Sequence, residues 1–131
     1  MTPRISRQAL EARIAAGDVI VVETLSAPYY ESGHLPGAIN IPHTQVEELA
    51  PSLLPDKDAA IVTYCSNTAC QNSSVAAAIL AKLGYANVAK YAEGKQDWLA
   101  AGLPVETLER AEDPHGVTLE LVGSGGQVLR A

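Results

Sequence analysis

The chain has 131 residues, of which 47% are hydrophobic and 18% charged, and its formal net charge is −6. This length favours a single main domain with a core large enough to fold alone, and the acidic balance argues against nucleic acid or an anionic membrane as the main partner. No apolar run approaches the length of a membrane span, and the N-terminal residues lack the apolar segment of a secretory signal. We therefore expect a cytoplasmic protein without a membrane segment.

Helix and strand patterns alternate along most of the sequence. The predicted helices are 7–16, which Ser6 caps and Gly17 ends, a short turn at 28–33, and then 44–54, 75–83 and 95–101. The predicted strands are 19–22, 38–41, 59–64 and 87–91. This alternation predicts a parallel sheet with helices on both faces, and in such sheets the ligand site lies beyond the carboxyl ends of the strands.

The C-terminal part of the sequence differs in kind. Residues 109–115 are charged and turn-prone, and the alternating segments 117–122 and 127–130 flank the Gly-rich residues 123–126. Alternation around a Gly-rich turn predicts a β-hairpin. We expect a main domain at 1–108 and a short hairpin extension at 109–131, which could pack on a sheet edge or carry a homodimer contact.

Cys65 lies where a predicted strand gives way to a predicted helix. It follows the apolar run 59–64, and residues 66–73, here called the cysteine loop, lead from it toward the helix. A thiol that faces a helix N-terminus meets unpaired backbone N–H groups and the positive end of the helix dipole. Both stabilise the thiolate, which is the nucleophilic form. The sequence therefore predicts a reactive Cys65 with a lowered pKa.

Three parts of the sequence carry a resemblance to a known family. Residues 33–42, Gly-His-Leu-Pro-Gly-Ala-Ile-Asn-Ile-Pro, resemble the rhodanese signature near the N-terminus of that domain. Residues 62–65 resemble the strand that delivers the rhodanese cysteine, and 84–88 with 93–105 resemble the family's C-terminal signature. These segments follow the family's order and spacing and cover roughly residues 5–108. The chain thus resembles a single-domain member of the rhodanese-like family.

The resemblance implies an α/β fold of about five mostly parallel strands and a sulfurtransferase activity. In the family, a donor gives its outer sulfur to the cysteine thiolate, and the persulfide passes that sulfur to a thiophilic acceptor. Cys65 would be the catalytic nucleophile. The cysteine loop would bind the substrate, since its backbone N–H groups would surround an anionic persulfide; its residues are Ser66, Asn67, Thr68, Ala69, Cys70, Gln71, Asn72 and Ser73. The implied partners are a small-molecule or protein sulfane-sulfur donor and a thiol acceptor, and no cofactor is implied.

The cysteine loop departs from the family pattern in length and charge. The segment from Cys65 to Gly84 is longer than in the usual family form, and no Arg or Lys lies between Cys65 and Lys82. Phosphatase and arsenate-reducing relatives need an Arg there to clamp an oxyanion, so phosphate-ester hydrolysis is disfavoured. The same absence makes the thiosulfate dianion a weaker candidate than a neutral or singly charged persulfide donor.

Two residues outside the loop are candidates for supporting roles. Glu23 matches the acid of the family's acidic-x-basic motif, but Leu25 stands where an Arg is expected, so the acid–base pair that braces the pocket is predicted to be missing. His34 lies in the signature turn and is expected to bond to the backbone there. Lys95 is expected to form a solvated pair with Glu93.

Cys70 is the second cysteine of the chain and lies inside the cysteine loop. It could act as a resolving thiol that attacks a Cys65 persulfide or sulfenate and closes a disulfide. The alternative, which a loop wrapped around Cys65 favours, is a small side chain that only fills space. The spacing of the two cysteines is not that of a zinc ribbon, so no metal site is predicted.

Two other classes of function stay open at this point. One is a protein persulfide carrier or thiol redox partner that uses Cys65 and Cys70. The other is a non-catalytic rhodanese-like binding module. The presence of a cysteine at the motif position favours the sulfurtransferase over the binding module.

Overall fold

The computed structural model describes residues 2–107 and the backbone of residues 120–122 and 128–130. Its helices are α1 (Arg7–Ala16), α2 (Ala27–Ser32), α3 (Val46–Leu53), α4 (Asn72–Lys82) and α5 (Gly94–Ala100). Its strands are β1 (Ile20–Glu23), β2 (Ile39–Asn40), β3 (Ala60–Tyr64), β4 (Asn87–Tyr91), β5 (Glu120–Val122) and β6 (Val128–Arg130). Within the described ranges, no helix has the length and apolar character that crossing a bilayer requires.

The main sheet is parallel, with the strand order β2-β1-β3-β4. Glu23 at the end of β1 lies beside Tyr64 at the end of β3, and Tyr64 lies beside Tyr91 at the end of β4. The carboxyl ends of three strands therefore meet at one edge, directly before Cys65. This arrangement confirms the predicted α/β class.

The main sheet has four strands, so the expectation of about five was wrong by one. Residues 3–5 run beside β4: the Ile5 N–H donates to the Lys90 carbonyl at 3.0 Å, and the Lys90 N–H donates to the Pro3 carbonyl at 2.9 Å. The ladder stops there, because Pro3 has no N–H to donate and Ser6 already caps α1. The segment makes one isolated bridge, between Arg4 and Lys90, and no full strand.

Two hydrophobic clusters cover the two faces of this sheet. Strand residues alternate between the faces, so Val22 and Ile61 join one cluster with residues of α3 and α4, while Val21 and Val62 join the other. The second cluster includes Leu10 of α1, Leu35, Ala38, Tyr64, Tyr91 and Trp98. Helices thus lie on both faces, as predicted.

Most helix boundaries follow the local signals in the sequence. The Ser6 Oγ accepts the Ala9 N–H at 3.1 Å, and Gly17 ends α1 with a φ of 72°. The helix predicted over 44–54 is shorter, because a 3-10 turn occupies His43–Gln45 before α3 begins.

The C-terminal strands form a separate two-stranded pair. β5 pairs antiparallel with β6, and Leu121 lies opposite Leu129. This pairing confirms the strands of the predicted hairpin. Residues 108–119, residues 123–127, which include the predicted turn at 123–126, and residue 131 lie outside the described residues. The division into 1–108 and 109–131 stays a prediction.

Candidate active site at the carboxyl end of strand β3

Cys65 directly follows β3, and its side chain is buried: the residue is 1% exposed. Its S–H group donates to the Cys70 carbonyl at 3.3 Å, and its Sγ lies 3.7 Å from the Ser73 Oγ. The sulfur is therefore enclosed between the backbone of the cysteine loop and the first turn of α4.

The start of α5 holds the beginning of the cysteine loop. The Lys95 N–H donates to the Cys65 carbonyl and the Gln96 N–H donates to the Ser66 carbonyl, both at 2.8 Å. This close approach requires Gly94, since a Cβ there would lie 2.6 Å from the Cys65 carbonyl oxygen and the φ of Gly94 is 75°. In the sequence, Gly94 indicated only a turn, and nothing marked it as a neighbour of Cys65.

Contacts within the cysteine loop fix its shape. Asn67 accepts the Cys70 N–H through its carbonyl at 3.1 Å and the Ala69 N–H through its Oδ1 at 2.9 Å. Its Nδ2 also donates to the Gln96 Oε1 at 3.2 Å. The irregular part is shorter than predicted, because Asn72 and Ser73 already belong to α4.

Burial raises the pKa of the Cys65 thiol, and the neighbouring Cys70 thiol raises it further. Hydrogen bonds from the backbone and side chain of Ser73 act in the opposite direction but do not overcome the burial. The prediction of a lowered pKa was therefore wrong. That prediction rested on the N-terminus of α4, which favours the thiolate. It left out the loss of hydration at an almost fully enclosed site, which disfavours the thiolate and raises the pKa.

The pKa of Cys70 lies below its ordinary value. Burial raises the pKa of this thiol, but hydrogen bonds from Cys65 and from the backbone of Ser66 and Asn72 outweigh that effect. Cys70 is also partly exposed, whereas Cys65 is buried. Of the two thiols, Cys70 is thus the one that the surrounding donors favour as a thiolate.

A buried ion pair lies beside the end of β3, next to Tyr64. Glu23 is 0% exposed and accepts the Tyr64 hydroxyl at 2.7 Å, while the Lys95 Nζ lies 3.0 Å from its carboxylate oxygens. Lys95 also donates to the Tyr29 carbonyl at 2.8 Å. We call Glu23, Tyr64 and Lys95 the Glu23 network.

The Glu23 network corrects two expectations about charge. The Lys95 side chain is only 13% exposed, so it is not the solvated partner of Glu93 that the sequence suggested. It also supplies a cation for Glu23 although Leu25 stands where the family pattern has Arg. Burial, followed by the Glu23 carboxylate, raises the pKa of the Tyr64 hydroxyl, which therefore remains a donor to that carboxylate.

His34 is packed into the signature turn. Its ring stacks on Tyr30 with the ring centres 3.8 Å apart, and its Nδ1 lies 2.7 Å from the Tyr30 carbonyl. Its Nε2 is 3.9 Å from the Glu106 carboxylate. These contacts agree with the structural role expected for this histidine.

A pocket of about 230 Å³ opens beside the cysteine loop. Its lining residues come from the loop, from the start of α4, from β4 and from the N-terminal segment: Arg4, Thr68, Cys70, Gln71, Ser73, Ser74, Lys90 and Ala92. Two basic residues thus line a pocket beside the loop, although the loop itself has none. Sequence reasoning missed both, because only the pairing of residues 3–5 with β4 brings Arg4 close to Lys90.

A larger hollow of about 790 Å³ lies elsewhere, near the amino-terminal ends of β3 and β4. No cysteine is among the described residues that line it, so it is not part of the candidate site. The described ranges also contain no cluster of three or more His, Cys, Asp or Glu residues arranged to hold a metal ion.

The rhodanese-like domain family model matches residues 6–101. That match covers most of the chain, and the chain therefore belongs to the rhodanese-like domain family. The four-stranded parallel sheet and the cysteine at the end of β3 agree with this assignment.

Individual relatives agree with the family assignment. The chain is similar to the HTH-type transcriptional regulator Rv0324 of Mycobacterium tuberculosis (37% identity over 112 residues, 86% of this chain and 47% of the relative). It is similar to the thiosulfate sulfurtransferase PspE of Escherichia coli (39% identity over 59 residues, 45% of this chain and 55% of the relative). The crystal structure of the BH2092 protein from Bacillus halodurans superposes with a TM-score of 0.75 at 31% identity, over 81% of this chain and 77% of that one.

The chain spans about half the length of these two curated relatives. One of them is a sulfurtransferase and the other a transcriptional regulator. At the level of the family, the comparisons support sulfur transfer.

Proposed function

We propose that the chain is a sulfurtransferase that carries sulfane sulfur as a persulfide on Cys65. The observation that supports this most is the position of Cys65, which ends β3 and lies inside the cysteine loop of a rhodanese-like domain. The donor would be a small molecule or a protein with sulfane sulfur, and the acceptor a thiol.

The first step needs a Cys65 thiolate. The pKa of Cys65 is raised and that of Cys70 is lowered, so transfer of the Cys65 proton to Cys70 is unfavourable in the resting protein. We propose that this transfer occurs together with the attack of the Cys65 sulfur on a bound donor. The Cys65 thiolate attacks the outer sulfur of the donor, and the donor's inner sulfur leaves with the electron pair of the broken S–S bond.

The second step returns Cys65 to its starting state. An acceptor nucleophile attacks the outer sulfur of the persulfide, and the Cys65 thiolate is the leaving group. In the persulfide state, the Ser73 N–H and hydroxyl that contact the Cys65 sulfur would stabilise negative charge without a charged side chain.

The charge around the loop bears on the choice of donor. The loop itself has no Arg or Lys, which leaves a phosphate monoester without a bidentate clamp. Arg4 and Lys90 line the neighbouring pocket and contribute positive charge beside Cys70. We expect singly charged persulfides to load Cys65 faster than the thiosulfate dianion.

Intact-protein mass spectrometry tests this proposal. The wild type and the Cys70→Ser variant, loaded at alkaline pH with inorganic polysulfide, thiosulfate or a small-molecule persulfide, should each gain one sulfur that cyanide removes. Cys65→Ser should retain its circular dichroism spectrum and lose transfer to cyanide by at least about 100-fold. Unchanged transfer in Cys65→Ser, or no gain of sulfur in the wild type with any donor, would contradict the assignment of Cys65.

A protein persulfide carrier or thiol redox partner is the second candidate, and the 3.3 Å contact between the Cys65 Sγ and the Cys70 carbonyl, which brings the two cysteines together, favours it. A carrier would exchange one sulfur rapidly with a partner thiol but turn over small substrates slowly. Single-turnover and steady-state rates measured side by side distinguish a carrier from an enzyme.

A non-catalytic binding module is the third candidate. The similarity to the transcriptional regulator Rv0324 supports it, since that relative is named for regulation and not for sulfur transfer. A Cys65 that reacts with no donor in the folded protein would favour this module over both other candidates.

A further inference from the structure

The two cysteines differ in what they can contact. Cys65 is 1% exposed and does not line the pocket beside the loop, whereas Cys70 is partly exposed and lines it. An acceptor thiol has to bring its own sulfur in line with the S–S bond that it breaks. An acceptor that enters through the pocket therefore meets Cys70 first, since Cys70 lines the pocket and Cys65 does not.

The pocket has the charge and size to hold a small anion. Arg4 and Lys90 are its two charged lining residues, and no carboxylate is among the described residues that line it, although the chain as a whole has a formal charge of −6. The Lys90 Nζ is oriented by a hydrogen bond to the Ser74 Oγ at 2.8 Å. A volume of about 230 Å³ is below the range of drug-sized sites, so the ligand would be smaller than those molecules.

Cys70 also has the hydrogen-bond donors that a sulfur carrier needs. Against the effect of its burial, the neighbouring Cys65, Ser66 and Asn72 lower the pKa of its thiol and so favour negative charge on its sulfur, and the Cys65 Sγ lies 3.3 Å from the Cys70 carbonyl oxygen. A persulfide on Cys70 would therefore meet donors from the loop and positive charge from the pocket. At Cys65, Ser73 favours negative charge on the sulfur, but Cys65 does not line the pocket that Arg4 and Lys90 border.

We propose that Cys70 is a second sulfur carrier, which passes sulfur from Cys65 to a small carboxylate-bearing thiol held in the pocket by Arg4 and Lys90. This inference rests on the proposed Cys65 persulfide. It assigns to Cys70 a role different from the resolving thiol that would close a disulfide.

The transfer step is balanced without an oxidant or a reductant. The proton that Cys70 took up during loading first returns to the outer sulfur of the Cys65 persulfide. The Cys70 thiolate then attacks that sulfur, so that a bond forms between it and the Cys70 Sγ. The bond from that sulfur to the Cys65 Sγ breaks, its electron pair stays on the Cys65 Sγ, and the proton moves there as well. The new persulfide on Cys70 is anionic and lies beside Arg4 and Lys90.

The acceptor thiol takes part in the last step of the reaction. The thiolate of the bound acceptor attacks the outer sulfur on Cys70 and leaves as a persulfide, which regenerates the Cys70 thiolate. The Cys65 S–H can again donate to the Cys70 carbonyl, as it does in the sulfur-free protein.

The first experiment compares discharge from fully loaded wild type and Cys70→Ser. Both proteins are loaded to completion with inorganic polysulfide, desalted, and mixed with 3-mercaptopropionate, which has a carboxylate, or 2-mercaptoethanol, which has none. We expect Cys70→Ser to discharge to 3-mercaptopropionate at least about tenfold more slowly than wild type. Alkylation followed by fragmentation between residues 65 and 70 should locate sulfur on Cys70 in part of the wild-type protein.

The second experiment tests the pocket charges. Arg4→Gln combined with Lys90→Gln should slow discharge to 3-mercaptopropionate by about tenfold, the loss expected for a charge-assisted hydrogen bond. Discharge to 2-mercaptoethanol should slow less, because that acceptor loses only the positive charge beside the Cys70 persulfide and has no carboxylate for Arg4 and Lys90 to bind. Lys82→Gln is the matched control, since Lys82 ends α4 and does not line the pocket.

Each contrary outcome has a distinct meaning. If wild type does not load at all, the proposed function and this inference both fail. If wild type loads but Cys70→Ser discharges at the wild-type rate, only this inference fails. It also fails if loaded wild type releases hydrosulfide and closes a Cys65–Cys70 disulfide, because the attack is then on the inner sulfur.

Discussion

The Glu23 network and the cysteine loop both adjoin Cys65, yet they differ in the charge of their side chains. The network combines a fully buried carboxylate with a largely buried ammonium and a tyrosine hydroxyl. The loop has no charged side chain, and its residues Thr68 and Ala69 are exposed. Charge is thus buried and paired in the network, and it is absent from the side chains of the loop that encloses the sulfur.

We expect the Glu23 network to determine the stability of this region and the cysteine loop to determine its reactivity. Lys95 joins the two regions, since its side chain pairs with Glu23 while its backbone N–H donates to the Cys65 carbonyl. A loop without charged side chains depends on such an anchor to keep its shape. We therefore expect changes in the network to lower the free energy of unfolding, and changes in the loop to alter reactivity with little effect on stability.

The largest effect is expected for Lys95→Met. This change leaves the Glu23 carboxylate buried without its cation, and breaking a buried ion pair costs about 3–5 kcal/mol. Urea denaturation followed by circular dichroism measures the loss. Lys82→Met is the control for the substitution itself and should change the free energy of unfolding by about 0.5 kcal/mol or less.

The double variant Lys95→Met with Glu23→Gln separates the unpaired charge from the lost packing. Because it removes the buried charge together with its partner, it should recover part of the stability that Lys95→Met loses. A double variant no more stable than Lys95→Met would contradict the ion pair as the cause.

Gly94→Ala is expected to follow in size. The new Cβ would lie 2.6 Å from the Cys65 carbonyl oxygen, so we expect a loss of about 2–4 kcal/mol from the clash and the positive φ together. Gly102→Ala is a matched control, because Gly102 has a φ of 74° and no atom within 4 Å of an added Cβ. The difference between the two variants isolates the clash, and equal losses would show that α5 does not press against the loop.

Much of the fold could be predicted from the sequence, because its signals are local. The apolar runs at 59–64 and 87–91 indicated β3 and β4, and Ser6 with Gly17 marked both ends of α1. The missing fifth strand shows the limit of this reasoning. Whether residues 3–5 form a strand or a single bridge depends on Pro3 and on the early start of α1. The alternation of apolar and polar residues that predicts strands does not distinguish these two outcomes.

The site was less predictable, because its key contacts join distant parts of the chain. Cys65 itself was marked by the strand that precedes it and by the family motif. Its raised pKa depends on burial, and the approach of Arg4 to the pocket depends on sheet pairing. Lys95 looked like a solvated turn residue, since only the tertiary fold places it beside Glu23.

A smaller loss in the free energy of unfolding is expected for Asp97→Asn. Asp97 lies in α5, so this variant tests a second contact of the helix that holds the cysteine loop. The Tyr91 hydroxyl, followed by Arg7, lowers the pKa of Asp97 against the effect of its burial. A lowered pKa in the folded protein stabilises it at pH values above the ordinary carboxyl pKa of about 4, and the stabilisation is lost as the pH falls through the lowered value.

Urea denaturation from pH 7 downward measures this dependence. Because the Arg7 and Asp97 side chains are 30% and 29% exposed, we expect Asp97→Asn to lose on the order of 1 kcal/mol at neutral pH and to show a flatter decline in acid. Asp18→Asn removes the more exposed pair with Arg13 and should have a smaller effect. Parallel pH curves for wild type and Asp97→Asn would contradict the role of Asp97.

The smallest effect on stability, with a clear effect on chemistry, is expected for Thr68→Arg. Thr68 is exposed and lines the pocket, so the free energy of unfolding should change by no more than about 0.5 kcal/mol. The added guanidinium supplies a cation for a dianion at the mouth of a loop that has no charged side chain, and kcat/KM for thiosulfate should rise by about tenfold. Ala69→Arg adds the same charge at the neighbouring exposed position, which does not line the pocket, and should give a smaller gain. Equal gains in the two variants would mean that general attraction of the anion, and not a contact in the pocket, limits the use of thiosulfate.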